Sequence, residues 1–471
     1  MSICIKRFLL GVCLLIGMLS SLNLRAQEVN EENEGSKENK GSNEFFIDAK
    51  LNTRWELRIG GFDPKTEEEK VGRAHFIMGQ YRINLGYKRD DWLEIRLSPQ
   101  FSGVWGQAGG TLSLSEGWLC MKHKSGIFGK IGRQVFEYDD ERILGYDDWT
   151  MTAPTHDALK FGYEGFGHKI HVLLAYNQNP ENIDIGTTYY AGGLQPYKTM
   201  QTLWYHYETP KSVFGFSVIG MNIGVQSQKY DELNKTFYQQ LFGTYVTIKP
   251  SIVSMEGSFY YNMGKEEHGM KLNAFMGSAK FRVTPSEIYN LYAGYDYLSG
   301  DNFPVTVKGS FGLIYHKEAR GFTPLFGSHH EFYGAMDFFY MDSYVNNFSP
   351  GLQNFYVGGN VSPVRGLKIN AAYHFYAISA DLSYGQNEKL KKALGHEAEL
   401  NIGYTFANFV TVSAGYSFMY GTKTMEILQR VSEKRQLHWA WLMLSVKPTI
   451  FTTTWADKKK KKNNTNNTTN E

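Results

Sequence analysis

Cysteine is nearly missing from this chain. Its 471 residues contain three, and Cys4 and Cys13 both lie in an N-terminal leader. Only Cys120 is left beyond it, so no disulfide can form within the mature chain. Proline is scarce at 13, which argues against a disordered, proline-rich chain. Charge of one sign is lacking too: a formal net charge of +2 leaves no global basic footprint for nucleic acid. After residue 45 no apolar run approaches the roughly 18 residues of a membrane helix. With a negative mean hydropathy, that excludes a polytopic helical membrane protein. Aromatics and glycine are abundant instead, at 31 Tyr, 31 Phe and 48 Gly, a composition of strands and turns.

Lys6 and Arg7 precede an apolar run from Phe8 to Leu22, and Leu24-Arg25-Ala26 precedes Gln27. This pattern reads as a secretory signal peptide, residues 1–26, cut after Ala26. Residues 27–44 are polar and read as a solvated linker. Residues 45–451 then form the folded body, and 452–471 a Lys/Asn/Thr-rich tail. The tail's Lys458–Lys462 run is a solvated segment that could meet anionic headgroups.

Within the body, apolar and polar residues alternate with period 2, the mark of strands with two unlike faces. Along 51–59, Leu51, Thr53, Trp55, Leu57 and Ile59 share one face, and Asn52, Arg54, Glu56 and Arg58 the other. Gln80, Arg82 and Asn84 alternate with Tyr81, Ile83 and Leu85, and Glu94, Arg96 and Ser98 with Leu93, Ile95 and Leu97. Glu397, Glu399 and Asn401 alternate with Ala398, Leu400 and Ile402. Soluble sandwiches alternate as well. Three features favour a membrane barrel. Charges sit in mid-strand, as a hydrated lumen permits. Aromatics such as Trp55, Tyr87, Tyr176 and Phe406 stand at strand ends on the apolar face. Short connections (Lys88–Asp91, Thr209–Ser212, Thr284–Glu287, Ser362–Gly366, Ala407–Asn408) alternate with long ones near 138–157, 177–200, 299–330, 378–395 and 421–435.

The fold expected is all-β: a transmembrane antiparallel barrel in the outer membrane of a Gram-negative bacterium. Nineteen strand-like segments can be drawn, the fourteenth at 331–340. Bacterial single-chain barrels have an even number, so one is false, and the mixed stretch 299–352 is the place for it. Eighteen strands are expected, with 16 or 20 as the neighbouring possibilities.

The most specific stretch reads Gly132-Arg133-Gln134, then Asp139-Asp140-Glu141-Arg142, then Asp147-Asp148-Trp149, and later Asp157. Further groups follow at Ser299-Gly300-Asp301, Phe326 with His330, Tyr333 to Asp337, Leu352 to Tyr356, and Leu394-Gly395-His396-Glu397. In this order, over residues 45–447, the chain resembles the alginate-export family of outer-membrane barrels. The resemblance implies an 18-stranded barrel whose arginine-rich lumen passes anionic polysaccharide.

The residues support an anion path independently. A guanidinium stays charged and grips carboxylates bidentately, so a ladder of Arg54, Arg58, Arg82, Arg96, Arg133 and Arg142 could hand an anion along, with Glu56 and Glu94 offsetting part of its field. Each arginine could equally neutralise a neighbour, as Glu56 for Arg58 and Glu94 for Arg96. Asp139, Asp140, Asp147 and Asp148 read as solvated outer-loop acids, which could also order the loop through Arg142 or bind Ca²⁺. No other cofactor is implied. Partners are outer-membrane lipids, the barrel-assembly machinery and an anionic polysaccharide or small anionic solute; nucleic acid is not one. His329, His330, His396 and His438, with Ser299 and Ser328, match no catalytic or metal pattern, so no enzyme is expected. The expected function is a passive channel for an anionic polysaccharide or oligosaccharide. A general diffusion porin for small anionic or neutral solutes is the alternative, and a barrel enzyme or adhesin a third.

Overall fold

The computed structural model describes residues 42–60, 73–179, 190, 195–302, 318–337, 339, 350–384, 388–429 and 436–456. The leader, most of the linker, the lysine run and the side chain of His329 lie outside the described residues.

Eighteen strands close into one antiparallel barrel. In chain order they are β1 (Ser42–Ile59), β2 (Arg73–Arg89), β3 (Leu93–Val104), β4 (Thr111–Lys122), β5 (Ile127–Gln134), β6 (His156–Gly165), β7 (His168–Tyr176), β8 (Thr199–Glu208) and β9 (Phe214–Gln226). After these come β10 (Thr236–Ile248), β11 (Val253–Lys265), β12 (Lys271–Val283), β13 (Tyr289–Leu298), β14 (Leu352–Val361), β15 (Leu367–Ala377), β16 (Ala393–Phe406) and β17 (Val410–Gly421). The last, β18, runs Gln436–Val446 and continues through a bulge as Thr449–Ala456. Each strand pairs with its neighbour in sequence, and β1 pairs with both β2 and β18, which closes the ring. Pro448 sits in the bulge, where its missing N–H breaks no ladder bond and its carbonyl accepts from Ala49.

The superfluous segment falls where the sequence is hardest to follow. Over 331–337, the described part of that segment, there is no strand: Glu331 closes a single 3₁₀ turn and Tyr333–Met336 run through a bend and a turn. Gly334, at φ +91°, sits so close to Tyr376 and Glu397 that no side chain fits. Two boundaries also move. β1 starts at Ser42, inside the stretch read as linker, because Phe45, Phe46 and Ile47 pair with the end of β18. That end reaches Ala456, inside the stretch read as tail, because Thr452, Thr453, Thr454 and Trp455 are good strand formers with β1 as partner.

Both described ends lie at one rim, with the short turns that follow the even-numbered strands from β2 to β16, and the inward connection 135–155 leaves from the other. Leu51, Ile83, Leu97, Ile131, Leu203, Phe242, Phe259, Val357 and Leu444 all point outward and are exposed. An apolar belt of that extent is unstable in water and is the lipid-facing band of an outer-membrane barrel. Among the described residues no helix is long and apolar enough to cross a membrane; the strands make the crossing.

Candidate functional site

Two connections turn inward and fill part of the lumen. One is 135–155, between β5 and β6; the other lies within 318–337, between β13 and β14. They meet at a short parallel bridge, Leu144 with Phe326. Gly145 N–H donates to Phe326 O at 3.0 Å, Phe326 N–H to Ile143 O at 2.9 Å, and Ser328 N–H to Glu141 O at 2.8 Å. A Cβ on Gly327 would stand 2.2 Å from Arg142 O, so only glycine allows this approach. Phe136, Tyr138, Leu144, Phe322 and Phe326 pack on Leu173, Met200, Ile223, Leu241 and Met276 of the inner wall. This part of the lumen wall is therefore apolar, because loops rather than water cover it.

The Gly132-Arg133-Gln134 motif serves this geometry. Gly132 has φ +121°, and a Cβ there would meet Gly117 O at 2.2 Å. The Gln134 amide donates to Ala158 O at 2.9 Å, fixing the start of the inward segment. Arg133 does not line the pore. It shares the outward face of Ile127 and Ile131, near the loop-bearing rim, and its guanidinium bonds Asp157 at 2.7 and 2.8 Å. A charge near the interface costs only about 0–1 kcal/mol.

The other ladder arginines face inward, each beside a carboxylate. Arg54 Nε donates to Glu56 Oε1 at 2.8 Å. Arg58 reaches Glu56 Oε2 at 2.9 Å, and Trp439 Nε1 donates to the same oxygen at 3.0 Å. Glu56 is fully buried among them. Arg82 bonds Gln100, Tyr146 and, at 3.3 Å, Asp148. Lys50, on the same face of β1, also pairs with Asp148. Arg96 stands 3.8 Å from Glu116, not beside Glu94, whose partner is Lys88 at 3.9 Å.

The loop acids are not a solvated outer cluster, because the connection that carries them folds into the barrel. Asp139 accepts from Trp204 Nε1 at 3.1 Å. Asp140 accepts from Arg142 Nε at 2.8 Å, while Arg142 Nη2 donates to Asp296 of β13 at 2.8 Å and Nη1 to Tyr333 at 3.1 Å. Arg142 thus ties one inward segment to the wall and to the other. Asp147 accepts the backbone N–H groups of Trp149 and His330, and Asp148 faces Lys50 and Arg82. The four acids point to four different places, so they form no common oxygen cage for Ca²⁺. Among the described residues, no group of three or more His, Cys, Asp or Glu is placed to hold a metal. Burial pushes the Asp139 carboxyl up to about 6 and raises Asp147 as well.

Trp149 locks the tip of the inward segment. Its ring stacks on His330 with centroids 4.2 Å apart and meets the Trp441 ring edgewise at 4.9 Å. The Arg54 guanidinium lies over its other side, 3.6 Å from the centroid. Inward-facing Trp439 and Trp441 alternate with outward Ala440 and Leu442, a parity that is legible in the sequence. Lys50, Asp296 and Tyr333 give no local signal, because their partners lie 98, 154 and 191 residues away. His396 and His438 bond Tyr373 and Tyr416, and the Ser299 hydroxyl donates to Arg320 O. None of these pairs is a nucleophile with its base.

What remains open is divided. Against β1–β5 lies a cleft of about 600 Å³, walled by Lys50, Arg82, Arg96, Lys130 and Lys447 and by Asp48, Glu116, Glu137 and Asp148. Lys130 Nζ stands 3.7 Å from the Trp118 ring centre, and its register partner on β6 is another lysine, Lys160. A smaller space of about 190 Å³ lies across the lumen between Arg142, Lys280, Tyr292, Glu399 and Asn401.

This architecture is that of known porins. The chain is similar in fold to Pseudomonas aeruginosa OccK2 (OpdF), at a TM-score of 0.58 and 12% identity over 86% of this chain and 98% of that one. It is similar to a BenF-like porin from Pseudomonas fluorescens Pf-5, at 0.56 and 12% over 86% and 99%. It is also similar to P. aeruginosa OpdK, solved with vanillate, at 0.54 and 11% over 87% and 99%. At such identities the likeness is one of fold. No protein-family model matches the chain, and no curated protein matches it. These likenesses support the outer-membrane barrel; the alginate-export family that the sequence resembles is not shown by them.

Proposed function

We propose that the protein is a passive, solute-selective channel of the outer membrane that takes small carboxylate-bearing solutes along the β1–β5 wall. The observation that carries this reading is the cleft itself. Five cationic and four acidic side chains line a space of about 600 Å³, beneath inward segments that are buried and bonded on several sides. Such a space suits a small anion that meets successive donors. A polymer would need a continuous bore, and Arg142, Trp149 and Tyr333 stand across it. The alternative of a porin for small solutes is thus favoured over polysaccharide passage, and the likeness to the porins above sits with it. No cofactor or catalytic step is invoked.

The test replaces Arg58, Arg82 and Arg96 together with glutamine. The barrel keeps its outward face and its ladders, so it should fold and show heat-modifiable migration. Anion-over-cation permeability in planar bilayers should fall. An unchanged reversal potential would mean that these arginines only neutralise Glu56, Asp148 and Glu116.

A further inference from the structure

The lipid-facing side of the barrel holds a concavity near the rim opposite the short turns. Tyr81 of β2 and Phe101 of β3 point outward there and stack, with ring centroids 6.3 Å apart. Between these rings and the 104–110 connection opens a space of about 370 Å³, with Val104 and Trp105 on its margin. Gly103 and Gly110 face each other across the hairpin, and a Cβ on Gly103 would stand 3.3 Å from Gly110 Cα, so the floor carries no side chain. The margin is apolar and open: Trp105 is 58% exposed.

Its depth in the membrane follows from the strand. Gly103 lies twelve residues along β3 from Asp91 of the short turn. At a rise of about 3.3 Å per residue and a tilt near 40°, that is roughly 30 Å along the barrel axis. The apolar band of such barrels is about 25 Å tall, so the concavity sits at its upper edge, where acyl chains meet headgroups.

The β1–β2 hairpin rises past it. β3 ends at Val104, opposite Met78, and Trp105 N–H donates to Ile77 O at 2.9 Å. β2 continues through His75 and Arg73, which share the outward parity of Ile77 and Tyr81 and are exposed. They stand about 7 and 14 Å beyond Ile77 along the strand. Their outward register partners on β1, Leu57 and Ile59, are apolar. Among the described residues neither cationic group has a hydrogen-bond or ion-pair partner, whereas the outward Arg133 is held by Asp157. No described acid lies on the outward face of β1 to β4 between Tyr81 and this rim. A guanidinium at headgroup level without a carboxylate is placed to take a phosphate, and the imidazole adds a donor.

We infer that the concavity and the pair above it form one lipid site: an acyl chain fills the groove, and the phosphate of the same outer-leaflet lipid is held by Arg73 and His75. The site is independent of what the pore passes.

The experiment is native mass spectrometry of the purified full-length barrel in an uncharged detergent, with dioleoylphosphatidate and dioleoylglycerol as probes. The two share their acyl chains and glycerol and differ in the phosphate. The native protein should bind the phosphatidate roughly tenfold tighter, the worth of one charge-assisted hydrogen bond. Arg73→Gln with His75→Gln should remove that preference and leave dioleoylglycerol unchanged; both side chains are exposed, so folding is not at stake. Gly103→Leu, which fills the floor, should weaken both lipids alike, and Trp105→Ala should do the same should that variant not fold. Lys211→Gln, on the rim of short turns, should change neither. No preference in the native barrel, or an equal loss from Lys211→Gln, overturns the site in favour of general charge attraction. A loss confined to the Arg73 and His75 variant, with both groove variants binding as the native barrel does, overturns the groove as the seat of the acyl chain.

Discussion

Replacing Arg142 should loosen the inward segments without unfolding the barrel. Its guanidinium makes three bonds, to Asp140, Asp296 and Tyr333, at 2.8, 2.8 and 3.1 Å, with the Phe332 ring 4.1 Å away. Arg142→Leu keeps much of the volume but strands two buried carboxylates. Breaking a buried pair in this way costs about 3–5 kcal/mol. None of the bonds lost belongs to a ladder between strands, so the cost falls on the seating of the segments against the wall. At 1.4 kcal/mol per tenfold, the seated-to-unseated ratio should drop by roughly a hundredfold to a few thousandfold. Single-channel recordings should show larger, noisier conductance, and protease should cut within 135–155, while heat-modifiable migration stays native. The physical claim has a sharper corollary. Replacing Arg142, Asp140 and Asp296 together with leucine removes the stranded charges and should restore quiet channels, since an apolar set of similar volume can equal a buried ion group. A quiet, protease-resistant single variant, or a triple variant as noisy as the single, would refute the reasoning.

Two further outcomes follow from the same geometry. On whole cells, in a Cys120→Ala background, a cysteine at Lys391 should label with an impermeant thiol reagent, whereas one at Lys211 on the short-turn rim and one at Asp147 inside the lumen should not; labelling at Lys211 alone would invert the barrel. Seating should also depend on pH: the Asp139 carboxyl, ordinarily at 3.8, is pushed by burial up to about 6, so the seated state keeps a proton that the unseated state releases, and seating weakens as pH rises through that window. Open-channel noise should accordingly grow from pH 5 to pH 7, and Asp139→Asn should flatten the dependence; a flat native profile would show that Asp139 is not part of the seat.

The barrel is legible in the sequence because lipid on one side and water on the other impose a period-2 pattern. It reads most clearly in β1 to β3 and in β16 to β18, where polar residues face the lumen. It is faint in β9, whose Ile219, Met221 and Ile223 face inward yet are apolar, because loops cover that wall. Loop 135–155 is expected at the right point in the chain and in the wrong environment. Its acids look solvated when read locally, since Asp148 finds Lys50 and Arg82, and Arg142 finds Asp296, only through closure of the ring. The same blindness applies to the arginines. Parity places Arg54, Arg58, Arg82 and Arg96 in the lumen, but parity also puts Arg133 outside, with Ile127 and Ile131, once the alternation is carried through Gly132.

If the protein is the anion channel proposed above, pairing and permeation need not be rival roles for the lumen arginines. Were Arg54, Arg82 and Lys50 unpaired in a narrow lumen, a passing carboxylate would bind tightly and leave slowly, and conduction needs sites that are entered readily and left readily. Glu56 and Asp148 each hold two cations at once. Each acid therefore satisfies its cations only in part, and an incoming carboxylate competes with a resident one rather than meeting a bare charge. On the proposed reading, the near-balance of charge in the cleft, five cations against four acids, would tune how long an anion stays.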